Sequence, residues 1–209
     1  MRKTSLFILM IILGLLVLES CKERAGGSSQ DTASAEMQEA AILAHHQQLG
    51  DSLVQLAQAG MLAAVAQAME KGGPPNAVDF CNIHASSLVN EMAERWNCSL
   101  RRTSHLPRNP ENAPDADELK ILDWYSGLGS EALTSTVWRD GSRVHYASPI
   151  QMKLPACLKC HGVPGTDVDA ATLGIIKEKY PQDKALNYAM NDFRGMWHLV
   201  FEPEPLSHE

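Results

Sequence analysis

Residues 133–149 read LTSTVWRDGSRVHYASP, two runs rich in Thr, Val, Trp and Tyr around an Asp-Gly pair. Leu133–Arg139 and Arg143–Pro149 are therefore expected as strands, with Asp140-Gly141 turning the chain between them. Asp-Gly between β-prone runs is a strong hairpin signal, because glycine supplies the positive φ that tight turns require. A hairpin commits this part of the chain to an antiparallel sheet. Two further β-prone runs, Ser99–Ser104 and Met196–Glu202, lie to either side and are expected to join it.

Upstream the pattern changes. Residues 35–71 are rich in Ala, Gln, Leu and Met and predict one long helix, or two with a bend, with Gly50 and Gly60 as weak points. Gly72-Gly73-Pro74-Pro75 ends it, and a second helix is expected from Asn76, placed to cap it, to Asn97. Residues 105–114, HLPRNPENAP, read as a loop, and 115–125 and 170–180 as short helices. The expected fold class is α+β: a helical N-terminal part packed on an antiparallel sheet of about five strands.

The first residues read as an address. Arg2 and Lys3 precede an apolar run from Leu6 to Leu18, shorter than the roughly 20 residues a membrane-spanning helix needs. Leu18-Glu19-Ser20-Cys21 resembles a bacterial lipobox, with Glu19 where a small or apolar residue is usual. The expected organisation is a lipoprotein signal peptide over 1–20, a flexible tether over 21–34 with Cys21 lipidated, and a folded domain over 35–209. That implies an exported protein, lipid-anchored on the periplasmic side of a membrane. The formal net charge of −7 becomes more acidic once Arg2, Lys3 and Glu19 are cut away together. No basic stripe is present, which excludes nucleic acid as a partner.

Cys157-Leu158-Lys159-Cys160-His161 is C-x-x-C-H, the attachment pattern of c-type haem. Two thiols at this spacing can add to the two vinyl groups on one porphyrin edge. The following histidine can then reach the iron from below. The expected cofactor is one covalent haem c, held by Cys157 and Cys160, with His161 as an axial ligand. Export agrees with this, since such haem is attached outside the cytoplasm. Three other readings compete: a redox C-x-x-C, which would open a helix in a βαβ unit; a disulfide within the motif; and a Cys₄ zinc site made with Cys81 and Cys98, which stand 17 residues apart.

Other stretches carry a family likeness. Arg102-Thr103-Ser104, Arg108-Asn109-Pro110-Glu111-Asn112-Ala113-Pro114-Asp115 with Glu118, and Cys157 to Gly162 resemble the single-haem c-type proteins of PAS-like fold, a family catalogued mainly as a domain of unknown function. Tyr180-Pro181-Gln182-Asp183-Lys184-Ala185 and Asp192-Phe193-Arg194-Gly195 match its C-terminal pattern, and the likeness spans residues 75–203. Asp117 stands where the family usually has an aromatic residue, and Cys98 where it has a small one.

The resemblance implies a PAS-like antiparallel sheet and a second axial ligand supplied by a cysteine on the helix before the R-T-S strand, here Cys81. The residues themselves put Cys81 on the apolar stripe of helix 76–97 with Ala85, Leu88 and Met92. His84 competes chemically but lies at the edge of that stripe. An inert core thiol or a disulfide with Cys98 are the plainer alternatives. Arg102 and Arg108 are candidates to bind the haem propionates through paired hydrogen bonds. Equally, they could pin the Pro/Asn-rich loop to the sheet by pairing Glu118 or Asp115.

An iron with protein ligands on both sides has no position for substrate, so an enzyme is not expected. Electron transfer or a redox module is the first reading, with an unidentified redox or signalling protein as partner. A haem-based redox or gas sensor acting through a separate partner is the alternative.

Overall fold

The computed structural model describes residues 27–203. The signal segment 1–20, the lipidation candidate Cys21 and tether residues up to 26 lie outside them. Among the described residues four helices, α1 (Gly27–Trp96), α2 (Ala116–Ser126), α3 (Pro155–His161) and α4 (Ala170–Lys179), accompany four strands, β1 (Ser99–Thr103), β2 (Thr136–Asp140), β3 (Arg143–Gln151) and β4 (Phe193–Phe201). The chain divides into two units, Met1–Ile42 and Leu43–Glu209. In the first, residues 27–42 are helical, and residues 30–42 are mostly exposed. Helix α1 thus begins at Gly27, where a flexible tether was expected to run on to residue 34. All that follows concerns the second unit.

The sheet is antiparallel throughout, in the order β1-β4-β3-β2. It has four strands, not five. The stretch between β1 and β2, expected as loop and helix, forms the 3₁₀ turn Pro110–Asn112, α2 and the 3₁₀ turn Ser130–Ala132. The expected strand over Leu133–Arg139 starts only at Thr136, because Leu133 packs against the Leu122–Tyr125–Ala147–Met196 cluster. The hairpin forms, with its turn one residue later than expected: Asp140 pairs with Arg143, the turn is Gly141-Ser142, and Gly141 takes φ +58°.

Helix α1 bends where Gly and Pro cluster. Gly73 has φ +68°, a conformation other residues rarely adopt, and Pro74 and Pro75 open the next helical arm, where a missing N–H removes no hydrogen bond. Asn76 is not the expected cap of that arm. It lies inside it, and its Nδ2 donates to the Ala68 carbonyl at 2.8 Å, closing the end of the preceding arm. Asn97, with φ +50°, stops the helix in the left-handed conformation typical of helix ends.

One face of the sheet carries α1. Leu53, Val54, Ala57 and Met61 are buried at helical spacing, and two polar contacts fix the helix along the strands. Tyr146 Oη donates to Asp51 Oδ1 at 2.7 Å, and Trp197 Nε1 donates to Gln58 Oε1 at 2.8 Å. Burial alone would raise the Asp51 pKa, but hydrogen bonds from Tyr146, Ser135 and Gln47 outweigh it and hold it below the ordinary value. Gly50 is no weak point: a Cβ there would run into the Tyr146 ring, so glycine permits the helix to approach. The opposite face carries α2, whose Leu122 and Tyr125 pack on Ala147 and Met196. Asp115 and Glu118 close a reciprocal capping box at its start.

Candidate functional site

Cys157, Cys160 and His161 all lie on α3, a seven-residue helix opened by Pro155. The motif therefore does occupy a helix, yet no βαβ unit surrounds it, since β3 precedes it and α4 follows. Positions three and four apart share a helix side, so both thiols and the imidazole can address one space. Gly162 ends the helix tightly, because a Cβ there would collide with Asp167 and the Leu158 carbonyl.

The orientation of His161 is set from a distance. Its Nδ1 lies 2.8 Å from the Ala185 carbonyl oxygen, which can only accept, so Nδ1 carries the proton and Nε2 the lone pair. Burial, with Arg108 and Arg194 nearby, pushes its pKa well below the ordinary value against the opposing pull of Ala185. The imidazole is neutral at pH 7 and ready to ligate.

A cavity of about 260 Å³ opens beside it. Its wall includes Cys157, Cys160 and His161 from α3, Cys81 from α1, Arg102 from β1, Arg108 from the following loop, and Arg194 with Gly195 from β4. Cys81 reaches it from the buried stripe that includes Val78 and Ala85. His84 does not line it; its exposed ring lies 4.9 Å from that of Phe80. Cys98 does not line it either, and all four described cysteines are free thiols. Among the described residues no three His, Cys, Asp or Glu side chains group to hold a metal ion, so a Cys₄ zinc site has no support. Burial raises the Cys81 pKa, while Arg102 and Arg108 pull it down. Burial pushes Cys160 up to about 11, although Arg108 opposes it.

The three arginines differ. Arg108 is engaged by the protein: Nε meets Asp183 Oδ1 at 3.1 Å, and Nη2 reaches the carbonyls of Cys160 at 2.6 Å and Ala185 at 3.2 Å. It does pin the loop, but to Asp183 rather than to Glu118 or Asp115. Glu118 instead meets Arg101 at 3.4 Å. Arg102 lies 5.5 Å from the centroid of the Trp197 ring, and no ion pair or hydrogen bond engages it among the described residues. Arg194 donates to Ser104 Oγ at 2.8 Å and lies over Tyr188 at 5.3 Å.

Sequence reading assigned no role to Arg194. The register between β3 and β4 slips after Ile150, pairing Ile150 with Gly195 and Gln151 with Phe193, which leaves Arg194 as the extra residue of a bulge. Bulges re-aim side chains beside functional sites. Gly195, with φ +152° and a Cβ that would strike the Thr103 carbonyl, was the available signal, since glycine inside a strand often marks such a place.

These residues fit a covalently held haem. Two thiols share a helix and a cavity with a neutral imidazole whose Nε2 is available, a third thiol comes from α1, and cationic groups suit two carboxylates.

The family described as Tll0287-like matches residues 28–201. A solved structure titled the crystal structure of the cyanobacterial heme-protein Tll0287 is similar in fold, with 24% identity and a TM-score of 0.56. The match covers 76% of this chain and 96% of that one. No curated protein matches the chain.

Proposed function

As the chain belongs to the Tll0287-like family, we propose that it is a haem-binding redox module holding one haem c through Cys157 and Cys160, with His161 and Cys81 as axial ligands. The observation that carries this reading is the convergence of α3 and Cys81 on one cavity, with His161 Nδ1 held by Ala185. When bound, the group supplies a one-electron Fe(III)/Fe(II) couple. The chain's own residues would do the rest. Arg102 and Arg194 offer cations to the two propionates, while Arg108 holds α3 to the 183–185 segment. With His161 and Cys81 both holding the iron, no position on it would be left for substrate, and the reading is electron transfer rather than an enzyme. The sheet and its helices are read as PAS-like. The protein is read as exported and lipid-anchored at Cys21, passing electrons to a separate protein partner.

One observation favours sensing as a second reading. Cys81 lies between burial, which favours the thiol, and Arg102 and Arg108, which favour the thiolate. Such a ligand is suited to being lost on reduction or protonation.

The test is expression in an exporting, haem-maturing host. The purified chain should weigh about one haem more than its peptide, and the haem should survive acid-acetone extraction. Replacing Cys157 and Cys160 with Ala should abolish retention. Cys81→Ala should remove the low-spin six-coordinate ferric spectrum, and His84→Ala should keep it. A colourless protein containing stoichiometric zinc would end this reading.

A further inference from the structure

Haem binding as proposed uses Arg102 of the R-T-S stretch and leaves Ser104, its last residue, without a part. Ser104 is 5% exposed and lines the same cavity. A hydroxyl has one proton to donate and two lone pairs to accept with, and here all three are used. Ser104 Oγ donates to the Arg194 carbonyl at 2.6 Å, accepts from Arg194 Nη1 at 2.8 Å and accepts from Leu106 N at 3.1 Å. Two of the three go to one residue, 90 positions away, and grip both its backbone and its guanidinium. Gly195 makes this approach possible, since a Cβ there would meet the Ser104 side chain and the Thr103 carbonyl.

The guanidinium is held on a second side by the Tyr188 ring, whose centroid lies 5.3 Å from its central carbon. That ring stands nearly perpendicular to the His161 imidazole, with centroids 6.3 Å apart. Among the described residues, Arg194 Nε and Nη2 have no hydrogen-bond partner, while Nη1 is committed to Ser104. Nε–H and one Nη2–H run parallel along one edge of the guanidinium, the spacing a carboxylate meets with both oxygens. An arginine fixed before its ligand arrives loses less rotamer freedom on binding. Arg102, in the same cavity, has no polar group to hold it.

We propose that Ser104 is a positioning residue, which fixes Arg194 and keeps its Nε–Nη2 edge free for one carboxylate of the porphyrin. This rests on the haem reading and adds to it the residue that prepares the propionate site. A plainer role, fastening the bulge through the Arg194 carbonyl alone, needs no guanidinium contact. It predicts no change in the charge that the cavity presents.

The full chain is tested with and without haem. In the haem-loaded chain, Arg194→Gln and Ser104→Ala should both lower the midpoint potential, because moving a cation away from the iron favours Fe(III). Ser104→Ala added to Arg194→Gln should lower it no further, the mark of residues acting through one another. The haem-free chain is titrated with iron-free mesoporphyrin IX and with its dimethyl ester, which has no carboxylate. The wild type should favour the free acid at least roughly tenfold, a scale set by charge-assisted pairing. Ser104→Ala should cut that preference about threefold or more, again with no added effect beside Arg194→Gln. A wild-type potential or a wild-type preference in Ser104→Ala overturns the proposal, as do effects that simply add in the double variant. A chain that carries no covalent haem ends the haem reading instead, and the porphyrin titration still decides Ser104. Should Ser104→Ala fail to fold, NMR of the arginine side chains in the wild type decides. Rotation of the Arg194 guanidinium must be slower than that of Arg102, and equal rates overturn the proposal.

Discussion

Arg102, Arg108 and Arg194 face one cavity, and their partners rather than their chemistry separate their roles. Arg108 is 12% exposed and its partner Asp183 6%, so removing the guanidinium leaves a carboxylate buried and uncompensated. Breaking such a pair costs about 3–5 kcal/mol, and two carbonyls lose their donor as well. Arg108→Gln should therefore lower the unfolding free energy by roughly 3 kcal/mol, read by urea titration. Arg102→Gln loses only the contact with Trp197, worth about 1 kcal/mol. In the haem-loaded chain the order should reverse for the midpoint potential, with Arg102→Gln and Arg194→Gln moving it more than Arg108→Gln. Equal shifts for all three would refute this division. None of it is legible from R-T-S and R-N-P alone, because Asp183 lies 75 residues beyond Arg108 and only folding joins them.

Between α1 and the sheet, a single missing Cβ sets the distance of approach. In an ordinary exposed helix, Gly→Ala gains roughly 0.5–1 kcal/mol. At Gly50 the added methyl would meet the Tyr146 ring, which cannot yield without straining its hydrogen bond to Asp51. Overpacking of this kind costs about 1–3 kcal/mol, enough to outweigh the helical gain. Gly50→Ala should thus lower the denaturant midpoint, while Gly174→Ala on α4, where a Cβ meets nothing, should leave it unchanged or raise it. The hairpin at Gly141 and the break at Gly73 could be read from sequence because both are local backbone requirements. The bulge at Arg194 could not, since it is a property of the register between two strands.

Charge and anchoring concern the protein in its compartment. An acidic chain is poorly suited to hold an anionic membrane surface by electrostatics, so membrane retention rests on the Cys21 lipid in this proposal. Cys21→Ser should move the protein from the detergent-requiring membrane fraction to the soluble fraction and leave haem incorporation intact. Recovery of the unaltered protein in the soluble fraction without detergent would contradict the anchor. Ligation of the iron by His161 and Cys81 should also stabilise the haem-loaded chain, since those bonds require the folded state while the bonds to Cys157 and Cys160 persist on unfolding.

From residue order alone came what local rules govern: the hairpin, the Gly-Gly-Pro-Pro break, the α2 start, and a C-x-x-C-H whose chemistry lies within five positions. Tertiary structure alone decided the rest. It gave His161 its tautomer through Ala185, brought Cys81 and not His84 to the cavity, engaged Arg108 while leaving Arg102 without a polar partner, and set Ser104 against Arg194. The physical reason is common to all four. A proton's position, a side chain's burial and a charge's partner are set by groups that are distant in sequence and adjacent only after the helices pack on the sheet.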